Sequence, residues 1–208
     1  MTNFHMKNLL IERTLIILKP DALKRGLVGE IFETFENVGL KLLAAKMVRP
    51  DEKVIKNHYP GTKEWITEMG HKTLASFKQS NLDVKKTMGT EDPEKLGQFV
   101  YERLIKYWME GPIIVTVWEG PNAITVARKL RGHTIPLLAD PGTLHANYSF
   151  DSSPLSSSLN RVVKTFVHAS GNVEEAEREI KYWFGSSAPF RTTEFKSYER
   201  EVDQLYLK

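Results

Sequence analysis

Short apolar runs of strand length alternate with amphipathic helix signals along this chain, and that alternation restricts it to a layered α/β arrangement. Arg13 to Leu18 reads as a buried first strand ending at Lys19-Pro20-Asp21. Ile31, Phe32, Phe35 and Val38 then share one helical face, closed by Gly39. Leu40 to Val48 reads as a second strand, Asp51 as the cap of a short helix reaching His58, and Ile113 to Trp118 as a third strand. Asn122 is placed to cap a helix that turns Ala123, Ile124, Ala127 and Leu130 inward and stops at Gly132. Val162 to Val167 reads as the last strand. The order βαββαβ predicts a ferredoxin-like α+β sandwich, one antiparallel sheet with helices packed on one face.

At 208 residues and 41% hydrophobic content the chain can bury a sizeable core, so residues 1–208 are expected to form a single domain. A helical insertion is expected over 60–110, where Asp92-Pro93 supplies a cap with proline at the first helical position. Leu96, Val100, Leu104, Tyr107 and Trp108 form its stripe. Asp151 to Ser158 reads as a polar, serine-rich loop, and 185–208 as a charged tail wrapping the fold or a partner subunit. A net charge of +3 suits an anionic small molecule, and without a clustered basic stripe no nucleic acid is expected. The chain has no cysteine, which excludes disulfides and thiolate metal sites and is compatible with a reducing compartment. The apolar runs near Met1 are interrupted by Glu12 and Arg13 and are too short for a membrane span, so a soluble, cytoplasmic protein is expected.

The strand over Val162–Val167 delivers one histidine, His168, to the mouth of a well-signalled helix. Asn172 is its N-cap and Glu175, three residues on, completes a capping-box pattern. Val173, Ala176, Ile180, Trp183 and Phe184 fall on its apolar face, and Gly185 ends it. Free backbone N–H groups and the positive end of the helix dipole favour an incoming phosphate here. Glu179 lies seven residues, about two turns, beyond Asn172 and points the same way. A carboxylate on that line can bind one imidazole nitrogen and leave the other free as a nucleophile.

The stretch TFVHASGNVEEAEREIKYWF resembles the active-site segment of nucleoside diphosphate kinases. Further motifs follow in the same order: ERTLIILKPDALKRGLVGEIFETFENVGLKLLAAKM, GPIIVTVWEGPNAITVARKLRGHT and PGTLHANYSF. The similarity spans residues 12–184 apart from the two longer stretches. It implies a phosphohistidine at His168 oriented by Glu179, with Lys19, Tyr59, Arg128 and Thr134 on the nucleotide. It also implies magnesium held chiefly by the nucleotide's own phosphates, and a homo-oligomer in which Gly132 to Phe150 lies partly between subunits. Base binding in this family is mostly aromatic stacking, for which Trp65 is the candidate.

Two positions depart from the family pattern. His145 stands where the family carries arginine, and Thr165 where it carries asparagine. Both are expected on the nucleotide, with His145 gaining a charge-assisted contact to phosphate when protonated. A histidine elsewhere, at His5, His58, His71 or His133, lacks the paired helical spacing or cysteine company of a zinc cluster, so no protein-held metal is expected. The rival reading is a nucleotide-binding regulatory module with little turnover, weakened by His145 and Thr165. An RNA-binding ferredoxin-like domain is a weaker third, since its sheet-face aromatic signature is absent.

Overall fold

In a computed structural model, which describes residues 11–185, four strands form one sheet: β1 (Ile11–Leu18), β2 (Lys41–Val48), β3 (Ile113–Pro121) and β4 (Val167–Ala169). The order is β2-β3-β1-β4 and every neighbouring pair is antiparallel, the ferredoxin-like arrangement expected from the element order. Ten α-helices accompany it in the described residues. They are α1 (Pro20–Lys24), α2 (Val28–Asn37), α3 (Glu52–His58), α4 (Lys63–Gln79), α5 (Val84–Met88), α6 (Pro93–Trp108), α7 (Ala123–Arg131), α8 (Leu144–Tyr148), α9 (Ser153–Ser158) and α10 (Val173–Phe184). None is long and apolar enough to cross a membrane.

β1 runs through the centre of the sheet, and Leu15, Ile16, Ile17 and Leu18 are all buried. Because successive side chains alternate faces, that run needs cover on both sides. Ile16 and Leu18 pack with Ile31 and Phe35 of α2, Trp118, and Ala123 and Ala127 of α7. Leu15 and Ile17 pack on the other face with Ile55 of α3, Leu104, Ile105 and Trp108 of α6, and Trp183 of α10. Helices therefore cover both faces, not one. The insertion accounts for part of the second layer: Leu104, Tyr107 and Trp108 of its α6 stripe pack on the β1–β3 surface, whereas Leu96 packs within the insertion against Phe77 and Val84.

The insertion itself is a helical hairpin whose arms, α4 and α6, approach so closely that glycine is needed on each. A Cβ at Gly70 would strike the Pro93 backbone, and one at Gly97 the Ile66 backbone. Asp92 caps α6 through Glu94 N (2.9 Å) and Lys95 N (3.3 Å) as its sequence signals.

Several local expectations are corrected. The last strand is shorter than Val162–Val167 and sits later, so that His168 lies inside β4 opposite Ile17. Ahead of it the Lys164 N–H donates to Asp151 Oδ2 (2.8 Å), where a strand would have put it on a neighbouring strand. Asn122 does not cap α7: it adopts a left-handed conformation (φ 51°), and the Ile124 N–H is taken instead by Glu12 Oε2 at 3.2 Å. Val38 and Val173 are 49% exposed and belong to neither apolar face. The serine-rich stretch is not a loop. Ser152 accepts from Leu155 N (3.3 Å) and starts α9, while Ser153 and Ser156 are buried. Asp151, tied to Arg161 and to the Ser152 and Lys164 N–H groups, anchors the segment that leads into β4. The expected tail lies outside the described residues, apart from Gly185, the C-cap of α10.

Candidate active site

The end of β1 lies beside the start of β4, Leu18 opposite Val167, and this sets the geometry of the site. Lys19 follows β1 and is almost fully buried, its ammonium donating to the Thr165 hydroxyl at 2.5 Å. The ammonium also lies 5.5 and 5.3 Å from the ring centroids of Tyr107 and Trp108. Burial pulls its pKa down to about 7; nearby Asp21 opposes this and the charge of Arg131 adds to it. Thr165 is thus brought to Lys19, while Lys164 extends outward to Glu110 (3.0 Å).

His168 and Glu179 meet as the two-turn spacing predicts. The imidazole Nε2 lies 3.0 and 3.1 Å from the two carboxylate oxygens. A carboxylate can only accept, so Nε2 carries the proton and, in the neutral ring, Nδ1 keeps its lone pair. Ser170 donates to Glu179 Oε2 at 2.7 Å, closing a chain from β4 to α10. Burial alone would raise the Glu179 pKa. The charge and hydrogen bond of His168, with His58 and Ser170, outweigh it and hold the carboxyl at about 2. Upstream, Asn172 accepts from Glu175 N (2.8 Å) and Glu175 accepts from Gly171 N (2.7 Å), so the turn after β4 is pinned from both sides.

His58 enters this centre in a way sequence spacing did not anticipate. It is wholly buried and its Nδ1 accepts from the Trp183 indole N–H at 3.2 Å. The proton is therefore on Nε2, 3.6 Å from Glu179 Oε1. Burial, then the neighbouring His168, depresses its pKa to about 3 against the pull of Glu179, so the ring is neutral. His58, His168 and Glu179 present ligand atoms within 4.8 Å of one another. The only hint in the sequence was the adjacency of His58 to Tyr59, because the contact joins α3 to β4 and α10.

Tyr59 packs edge-on to Trp108 (5.7 Å) and stacks on Trp65 (5.3 Å, 30°), while Tyr101 meets the edge of Trp65 at 5.9 Å. Trp65 is thereby half-buried with Tyr59 stacked against its ring. Arg128 is exposed on α7, and its Nη1 would lie 3.5 Å from a Cβ at Gly171, which places it at the mouth of α10. Thr134 is exposed and accepts from Arg131 Nη2 at 3.3 Å.

His145 does not behave as expected. The ring is fully buried against Phe166 (5.2 Å), and its Nδ1 donates to the His133 carbonyl at 2.7 Å. Burial lowers its pKa to about 4, only partly offset by that carbonyl. A neutral, covered imidazole cannot supply the pH-dependent charge on phosphate that its place in the sequence suggested.

The nucleoside diphosphate kinase family model matches residues 12–95 and 65–188. A nucleoside diphosphate kinase of Pyrobaculum aerophilum is 45% identical over 174 residues, covering 84% of this chain and 95% of that protein. The crystal structure of an NDP kinase from the same organism superposes with a TM-score of 0.80 at 43% identity, over 86% of this chain and 98% of the other. A transition-state mimic of the Borrelia burgdorferi enzyme with bound vanadate and ADP superposes with a TM-score of 0.71 at 32% identity, over 94% and 96% of the two chains. Fold and relatives together make this protein a phosphotransferase. It belongs to the nucleoside diphosphate kinase family.

Proposed function

We propose that this protein moves the terminal phosphoryl group of a nucleoside triphosphate to a nucleoside diphosphate through a phosphohistidine at His168. One observation carries the reading: Glu179 holds Nε2 of His168 and leaves Nδ1 without a protein partner among the described residues. In the first half-reaction the Nδ1 lone pair attacks the terminal phosphorus. The bond to the bridging oxygen breaks, and the diphosphate leaves with that electron pair. In the second, a terminal oxygen of an acceptor diphosphate attacks the same phosphorus and the N–P bond breaks back to Nδ1. Positive charge develops on the ring as the N–P bond forms, and the ionised Glu179 stabilises it.

Lys19, Arg128 and Thr134 provide the phosphate contacts in this reading, Thr165 positions Lys19, and Tyr59 and Trp65 flank the entry to the centre. Magnesium is the expected ion. The carboxylates around the centre are already engaged, Asp21 by Tyr107, Glu175 by Gly171 N and Glu179 by His168 and Ser170. That donor set fits an ion carried in on the nucleotide's phosphates, whose role is to neutralise their charge. The regulatory alternative is not favoured: the substitution at His145 leaves the nucleophile, its carboxylate and Lys19 assembled. Labelled ATP and unlabelled GDP should give labelled GTP with ping-pong kinetics; sequential kinetics, or no product, would sink the proposal.

The pH dependence once expected of His145 belongs to Lys19. Its pKa near 7 means that the empty protein loses the ammonium as pH rises, whereas bound phosphate favours the charged form. Nucleotide affinity should therefore weaken about tenfold per pH unit above 7 until the bound-state pKa is reached. Lys19→Arg should flatten this dependence between pH 7 and 9. Equal slopes for the two proteins would assign the titration to another group.

A cytoplasmic location and a homo-oligomeric assembly complete the reading. Leu137 and Phe150 are 58% and 81% exposed at the segment expected between subunits, whereas Pro136 is already covered within the protomer. Light scattering at micromolar concentration should give a multiple of 23.8 kDa; a monomeric mass defeats the assembly.

A further inference from the structure

One buried cation near the centre has no ion-pair partner among the described residues. Arg131 closes α7 about one turn beyond Arg128 and is 7% exposed. Its Nε donates to the Gly132 carbonyl (3.2 Å) and its Nη2 to the Thr134 hydroxyl (3.3 Å). Both acceptors are neutral, and no carboxylate pairs with this guanidinium among the described residues. A guanidinium does not give up its proton to escape burial, so such a charge is costly unless an anion joins it. Burial pulls its pKa down to about 10, the charge of Arg128 adds to that, and Glu175 only partly offsets both. The charge of Arg131 is felt in turn at Lys19 and at His145, so these groups share one electrostatic neighbourhood.

The loop that carries Thr134 is held for this contact. Gly132 has φ +85°, and a Cβ there would collide with the side chain of Thr143, the residue that caps α8. The same stretch turns the His145 ring inward onto the His133 carbonyl. One side chain that could have faced the phosphates is thus turned into the core, and another rises from α7 beside it.

We propose that Arg131 is a phosphate-binding residue of this site, supplying to the nucleotide's terminal phosphates the fixed positive charge that His145 does not. Nη1 makes no protein hydrogen bond among the described residues and is the donor available to a phosphate oxygen, while Nε and Nη2 hold the fork in place. The inference rests on the nucleotide phosphotransfer reading, but phosphate affinity and phosphoenzyme formation can be measured separately.

The test compares ADP with adenosine on the full chain. Arg131→Met should weaken ADP binding at least tenfold by calorimetry, as loss of a charged hydrogen bond implies. Adenosine binding, followed by NMR titration, should stay within about twofold. ADP affinity equal to wild type overturns the proposal. So does an equal loss for ADP and adenosine, which would make Arg131 a loop-shaping residue only. Should the Met variant not fold, Arg131→Lys decides by the same comparison: a severalfold loss confined to ADP is expected, because a compact ammonium lacks the planar fork that spans Gly132, Thr134 and a phosphate at once. No loss for ADP in that variant counts against the proposal. Wild-type protein that binds ADP through Arg131 yet forms no phosphohistidine would refute the enzymatic reading and leave this assignment standing.

Discussion

His168→Ala should abolish phosphoenzyme formation and reduce phosphoryl exchange by on the order of 10⁴-fold or more, the scale seen when an enzyme loses its nucleophile. No neighbouring group can replace it. His58 is buried and neutral, with Nδ1 occupied by Trp183, and Ser170 is committed to Glu179. ADP affinity should remain within about threefold, since Lys19 and Arg128 are untouched. The alanine variant also leaves Glu179 short of its main partner in a site where that carboxylate is 1% exposed, so a stability loss of about 3 kcal/mol is expected. His168→Gln can keep an N–H on the carboxylate and should be equally inactive but less destabilised. Substantial exchange activity in a folded His168→Ala protein would exclude a covalent intermediate on this residue.

Glu179→Gln should slow phosphoenzyme formation by about 10²-fold without unfolding the protein. The amide has the shape of the carboxylate and can still accept from Nε2, but it cannot stabilise the positive charge that develops on the ring. The loss should fall on the chemical step, measured by rapid quench, and not on ADP affinity. Stability should separate the two proteins in acid. The folded-state pKa of Glu179, about 2, lies below the ordinary 4.5, so its ionised form stabilises the native protein fully above pH 4.5. That contribution is lost as pH falls from 4.5 towards 2 in wild type and is absent from the Gln variant. An unchanged quench rate would reduce Glu179 to a structural partner of His168.

The parts of this protein that were legible in its sequence are those written locally. The central strand reads correctly because Leu15 to Leu18 are buried on both faces and leave an unbroken apolar run. The contact between His168 and Glu179 was legible because the cap at Asn172 fixes where the helix starts, so that Glu179 returns two turns later to the strand carrying His168. The misreadings arise where distant groups decide. Val163, Phe166 and Val167 are buried as a strand would be, yet Asp151 takes the Lys164 N–H and β4 begins only at Val167. Asn122 looks like a cap, but Glu12 does that work from across the fold. The serines of α9 look like a loop because their hydroxyls are polar, while Ser156 and Ser158 turn theirs back onto the helix's own carbonyls. His145 and His58 have the right type to be read as functional, but only the tertiary structure shows that one is sealed in the core and the other bears on Glu179.

The position of the phosphoryl group on the imidazole tests the mechanism most directly. Protein incubated with ATP and magnesium, then denatured in alkali, should carry acid-labile, alkali-stable phosphate on the peptide containing His168. Phosphorus-31 NMR of that peptide should show attachment at Nδ1, the nitrogen that Glu179 leaves free, and the signal should be missing when GDP is added to the native phosphoprotein before denaturation. Phosphate at Nε2, on a hydroxyl side chain, or on any residue other than His168 would contradict the account.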